Sequence, residues 1–244
     1  MATEKPDFIP VLIGGDMNFY SVARAIHEEY GVKSYAFGRF PAGDTMHSRI
    51  VECFYDEHMD KPEVVLAKVK EFAAQHPDKT HLVWGCADVY AQVISEIQND
   101  LPENCVTLYI QPDLRDKLES KLSFYEMCDK YGIPYPKTFV VRPSEWEQGV
   151  AEADLTEEKI GFKYPIIVKP SMSSTYWEHP FDHMKKVYTA QNPAEAAHIL
   201  GLIFGAGYPD EVLLQDMVVG EDCNMNVLTA YCDRNCKVKL ICFG

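Results

Sequence analysis

Up to residue 111 the chain alternates short apolar runs with longer stretches in which apolar residues recur every three or four positions. The runs FIPVLI (8–13), KSYAFGR (33–39), HLVWGC (81–86) and CVTLYI (105–110) read as strands. The stretches NFYSVARAIHEEYG (18–31, closed by Gly31), PEVVLAKVKEFAAQH (62–76) and ADVYAQVISEIQND (87–100) read as helices. Repeated strand–helix–strand units imply a parallel sheet with helices on its faces, an α/β domain. Such sheets take ligands at the C-terminal ends of their strands.

After Gln111 the rhythm changes, which places a domain boundary near residue 112 and divides the chain into 1–111 and 112–244. PDLRDKLESKLSFYEMCDKYG (112–132) reads as one long helix, started by Pro112 and Asp113 and stopped by Gly132 and Pro134. TFVV (138–141), PIIVK (165–169), KVYTA (186–190) and EVLLQD (211–216) are expected to share one antiparallel sheet, a lid spanning about 135–215. PAEAAHILGLIFGAG (193–207) should pack on that sheet as a helix, and the acidic PSEWEQGVAEADLTEEK (143–159) reads as surface helix and loop.

Composition narrows the function. A chain of 244 residues with 47% hydrophobic content can bury a substantial core. The net charge of −14, from 37 acidic and 23 basic residues, opposes binding to nucleic acid or an anionic membrane and favours a small-molecule partner. MATEKPDFIP lacks the basic start and apolar run of a secretory signal, and no apolar stretch approaches a membrane span, so a cytoplasmic location is expected. The eight cysteines (53, 86, 105, 128, 223, 232, 236 and 242) are scattered and read as reduced thiols. CDRNC (232–236) supplies only two ligands on what reads as a hairpin turn, which disfavours zinc.

The turn GGDMN (14–18) opens a helix and can present N–H groups to an anion, but it is not GxGxxG, and AFGR at the second strand end offers no ribose acid, so a nicotinamide cofactor is disfavoured. Asp16, Asn18 and Arg24 remain candidates for a small polar substrate; alternatively Asp16 caps the helix and Arg24 is solvated. The stretch FKYPIIVKPSMSSTYW (162–177) sets Lys169 at the end of a β-branched run, before a proline and a patch of hydroxyl residues. A lysine there is either a solvated strand terminus or a cation held at a fixed height for an anion.

SKLSFYEMCDKYGIPYPKTFVV, YPIIVKPS and VLLQDMVVGEDCNMNVLTAY, in that order over about residues 112–244, resemble the signature of the ATP-grasp superfamily. The first third is similar to the Rossmann-like domain that precedes ATP-grasp modules. KPSMSSTYWEHPFDHMKKVY, with serines, a threonine and an aromatic pair in place of the usual glycine-rich loop, is most similar to carboxylate–amine ligases of the D-aspartate ligase type.

The resemblance implies ATP as substrate and assigns its contacts. Lys169 and Lys121, the latter eleven residues before Gly132, would meet the phosphates, and Ser171, Ser173, Ser174 and Thr175 would close over them. Gln215, where the family usually has glutamate, would bound the adenine with the Asp216 carbonyl and the Val218 N–H, and Asp222 would hold the ribose hydroxyls. Read as residues alone, Gln215 is a strand-end polar group and Asp222 a turn acid. No side chain is assigned as a nucleophile.

The family holds Mg²⁺ with an acidic pair and an asparagine on late strands, and no such cluster follows Tyr231 before the chain stops at CKVKLICFG. The metal ligands are therefore expected beyond residue 244. On this reading the 244 residues are a truncated nucleotide-binding part, inactive alone yet able to bind nucleotide weakly, with a mobile lid or a homodimer covering the last strand's edge. The full enzyme would join an amino acid or other carboxylate to an amine acceptor. A non-catalytic ligand-binding module and an unrelated Rossmann-like transferase stand as alternatives.

Overall fold

The computed structural model describes residues 6–14, 17–41 and 43–244, without the side chains of Asp44, Ser174 and Asp222. Asp16 thus lies outside the described residues. The chain divides into two units, Met1–Glu119 and Ser120–Gly244.

The first unit runs β1 (Phe8–Ile13), α1 (Met17–Tyr30), β2 (Ser34–Gly38), α2 (Gly43–Met46), β3 (Val51–Tyr55), α3 (Pro62–Gln75), β4 (Thr80–Gly85), α4 (Asp88–Ile97), β5 (Cys105–Val106) and α5 (Pro112–Glu119). Its five strands pair in parallel in the order β3-β2-β1-β4-β5. The alternation of β1 feeds two cores. Val11 and Ile13 join Phe37, Val65, Val69, Phe72, Val93 and Ile94 on the face of α3 and α4, while Leu12 joins Ala36, Phe19 and Ala23 on the face of α1. Burial on both faces is why the central strand β1 is apolar throughout. Pro10 sits in this central strand because pairing with β2 begins only at Val11.

Two expectations are corrected, and one strand was not foreseen. VECFY forms β3, an unforeseen edge strand, exposed at three of its five positions and so without a legible apolar run. The anticipated strand 105–110 pairs only at Cys105 and Val106. Beyond them Ser95 Oγ and Gln98 Nε2 donate to the Ile110 carbonyl at 2.7 and 2.8 Å, and the Tyr109 hydroxyl bonds the backbone of Gly85, so side chains replace the ladder. The long helix 112–132 is two helices, interrupted at Ser120, and α5 belongs to the first unit, where Arg115 Nη1 donates to the Gln92 carbonyl at 2.9 Å.

The second unit runs α6 (Lys121–Tyr131), β6 (Thr138–Val141), α7 (Pro143–Glu147), α8 (Glu157–Ile160), β7 (Ile166–Pro170), α9 (Ser173–Trp177), β8 (Tyr188–Ala190), α10 (Pro193–Gly205), β9 (Val212–Asp216), β10 (Leu228–Cys232) and β11 (Val238–Phe243). The four segments expected to share a sheet do so, antiparallel, in the order β6-β9-β7-β8. Ile166, Val168, Val212, Leu214 and Val141 face Ile199, Leu200 and Ile203 of α10 in one core. Asn192 caps α10 by accepting from the Glu195 N–H at 2.9 Å, followed by Pro193 at a position with no N–H to lose. β10 and β11 form a hairpin across CDRNC, exposed along both strands. Among the described residues no helix is long and apolar enough to cross a membrane.

Candidate functional site

Strand register decides which side chains can meet. Thr138 stands opposite Gln215, Gln215 opposite Ile167, and Leu213 opposite Lys169. Because side chains alternate, Thr138, Gln215, Ile167 and Lys169 all point to the face away from α10. On that face α6 presents Lys121 and Tyr125, one helical turn apart and so on one side of the helix.

The groups converge closely. Lys169 Nζ donates to Gln215 Oε1 at 2.7 Å and to the Tyr125 hydroxyl at 3.1 Å. Gln215, 6% exposed, donates from Nε2 to the Tyr125 hydroxyl at 2.9 Å and to Thr138 Oγ1 at 2.8 Å. Thr138 in turn donates to the Pro136 carbonyl at 2.9 Å, and the Tyr125 ring stacks on Tyr135 with centroids 4.5 Å apart. Lys121 Nζ donates to the Ser171 carbonyl at 3.0 Å and approaches Ser173 Oγ at 3.5 Å. Burial first, then the charges of Lys169 and Lys186, hold Lys121 below the ordinary lysine pKa. Lys121 thus faces two like charges with no carboxylate paired to it among the described residues, and an anion there would relieve the cost.

The hydroxyl patch behaves differently from its expectation. Ser173–Trp177 is a helical turn, pinned by Tyr176, whose buried hydroxyl donates to the Lys185 carbonyl and bonds the Tyr188 hydroxyl, both at 2.9 Å. Ser171 is buried, its N–H donating to the Glu211 carbonyl at 2.9 Å and its hydroxyl engaged with Glu211 and Tyr208. Neither group is free for a ligand, because the residue before β9 prolongs the sheet pairing across it. Ser173 and Thr175 are partly exposed; the side chain of Ser174 lies outside the described residues. At the end of β9 the Asp216 N–H donates to the Lys137 carbonyl at 2.8 Å, Val218 is 80% exposed, and the Asp222 side chain lies outside the described residues. In the first unit Arg24 pairs with Glu28 one turn on, at 2.9 Å on the exposed side of α1, and Asn18 is exposed.

Sequence reasoning missed Tyr125, Thr138, Tyr135 and Lys186. The spacing of four from Lys121 to Tyr125 was the available signal for the first. Among the described residues no three His, Cys, Asp or Glu side chains converge to hold a cation. All eight cysteines are free.

No family model matches the chain. A D-aspartate ligase of Enterococcus faecium (strain Aus0004) is 36% identical over 244 residues, covering 99% of this chain and 57% of the relative. The L-amino acid ligase of Bacillus licheniformis superposes with a TM-score of 0.60 at 14% identity, covering 99% of this chain and 51% of that one. N5-carboxyaminoimidazole synthetase from Staphylococcus aureus, complexed with ADP, gives 0.61 at 15% identity, covering 97% and 54%. The chain thus spans little more than half the length of the relatives it matches, and at these identities the superpositions speak for the fold.

Proposed function

We propose that this chain, a homologue of D-aspartate ligase carrying part of the ATP-grasp fold, is the nucleotide-binding part of an ATP-dependent carboxylate–amine ligase. One observation carries the reading. Lys169 at the end of β7 and Lys121 at the start of α6 bring two ammonium groups to one face of a stiff sheet, with no carboxylate neutralising either among the described residues.

In this reading the two lysines meet the α- and β-phosphates of ATP, and Ser173, Ser174 and Thr175 lie beside them. Gln215, the Asp216 carbonyl and the Val218 N–H border the adenine, and Asp222 holds the ribose. A substrate carboxylate oxygen attacks the γ-phosphorus, the bond to the β–γ bridging oxygen breaks, and ADP leaves an acyl phosphate. An amine nitrogen then adds to the acyl carbon, phosphate departs, and the nitrogen loses a proton to give an amide. The lysines act by position and charge. Mg²⁺, when bound, would neutralise charge between phosphates. D-Aspartate, named in the relative, is the carboxylate this reading favours, and free thiols with ATP as substrate suit a cytoplasmic enzyme.

Titration calorimetry tests the assignment. Lys169→Ala should weaken ATP binding at least roughly tenfold, the scale of one charge-assisted contact. Unchanged affinity would remove the phosphate role. In the whole enzyme, ADP release should require both D-aspartate and an amine.

A further inference from the structure

The orientation of the Gln215 amide follows from its neighbours. A lysine ammonium has three donors and no acceptor, so the atom 2.7 Å from Lys169 Nζ must be Oε1. Both Nε2 hydrogens are then committed, one to Thr138 Oγ1, whose own proton is spent on Pro136, and one to the Tyr125 hydroxyl. Tyr125 therefore accepts twice, from Gln215 and from Lys169, and its phenolic proton has no acceptor among the described residues. Stacking on Tyr135, with planes 7° apart, fixes the ring that carries it. The third Lys169 proton likewise has no acceptor among the described residues.

We infer that Tyr125 is a specificity-determining residue of the nucleotide site, holding Lys169 through neutral oxygens and turning its own proton toward the anionic, phosphate end of the ligand. The inference rests on the ATP reading above. Tyr125 and Gln215 position the ammonium without cancelling it; two neutral acceptors leave its charge whole, where a carboxylate at Gln215 would pair with it. The cluster therefore favours a phosphorylated ligand over its unphosphorylated counterpart.

Affinities of the chain for adenosine and ADP, measured at constant Mg²⁺, separate the possibilities. Tyr125→Phe keeps the ring and its stacking; it should weaken ADP roughly five- to tenfold and leave adenosine unchanged. Gln215→Glu, which restores the residue the family usually has here, tests the charge with the phenol intact: it should flatten the fall of ADP affinity with salt, because the ammonium is partly neutralised. Equal weakening of ADP and adenosine in Tyr125→Phe would make the cluster mere packing and overturn the inference. Unchanged ADP affinity in Tyr125→Phe overturns it too, with the ATP reading intact. If the unsubstituted chain binds adenosine and ADP equally well, or neither, the ATP reading falls and this inference with it.

Discussion

Lys121 is asked to keep its charge while partly buried and facing two like charges, and its lowered pKa records the strain. The sign is definite. A lysine whose folded pKa lies below its unfolded value costs stability while protonated, and the cost fades as pH rises through the folded pKa. An anion among the amines restores the charge, so ADP binding at a pH where Lys121 has begun to lose its proton, below the ordinary lysine range, should take up protons. Calorimetry in two buffers of different ionisation enthalpy reads that uptake; it should vanish in Lys121→Met, and its persistence there would assign the proton elsewhere. The contrast at Gln215 is one of magnitude. A carboxylate 2.7 Å from Lys169 would attract it by about 6 kcal/mol before desolvation at an effective dielectric of 20, whereas the amide oxygen there accepts a charge-assisted bond worth about 1.5–3 kcal/mol net and cancels no charge. Lys169 was legible because a cation after Ile166–Val168 stands out in the sequence. Tyr125 was not, since nothing in SKLSFYEM says that its hydroxyl meets a lysine 44 residues later.

Helix α9 is short enough that its own hydrogen bonds cannot hold it, and Tyr176 does so from one end. Its ring is 1% exposed and meets Tyr208 edge-on, and its hydroxyl ties the helix to Lys185 and Tyr188. Burial, then the bond to Tyr188, raise its pKa well above the ordinary tyrosine value, so the hydroxyl stays neutral across the working range. Tyr176→Phe should lower stability by about 1–2 kcal/mol in denaturant melts, the cost of leaving a buried carbonyl and hydroxyl short of a partner. A change below about 0.3 kcal/mol would mean that α9 is held by packing alone. The same element marks the limit of pattern reading. The sheet strands 138–141, 165–169, 186–190 and 211–216 were legible from apolar runs, but SSTYW has no periodicity, and its helical turn depends on Tyr188 and Tyr208 far along the chain. β3 escaped for the opposite reason: as an edge strand it buries too little to show an apolar pattern.

At the scale of the molecule, three sets of buried residues belong to two units: the cores on the two faces of β1 lie in the first, and the core of β7, β9 and α10 lies in the second. Units with separate cores are free to unfold in separate steps. Lys121, Tyr125, Lys169 and Gln215 all lie in the second unit, so ADP should stabilise that unit by RT ln(1 + [L]/Kd), about 2.7 kcal/mol at a hundredfold excess over Kd, and raise the midpoint of its transition. Hydrogen exchange followed by peptide should place the gain in α6, β7 and β9; protection gained only in β1–β4 would move the ligand to the other unit. The order β3-β2-β1-β4-β5 carries one more consequence, met while the chain is being made. Phe8 waits for Thr80 as its ladder partner, so at about 5–20 residues per second the ribosome leaves the apolar FIPVLI segment bare on one edge for roughly 4–14 seconds. Pro10 interrupts that segment, and a nascent strand that cannot donate at its third residue is a poor template for a neighbouring chain.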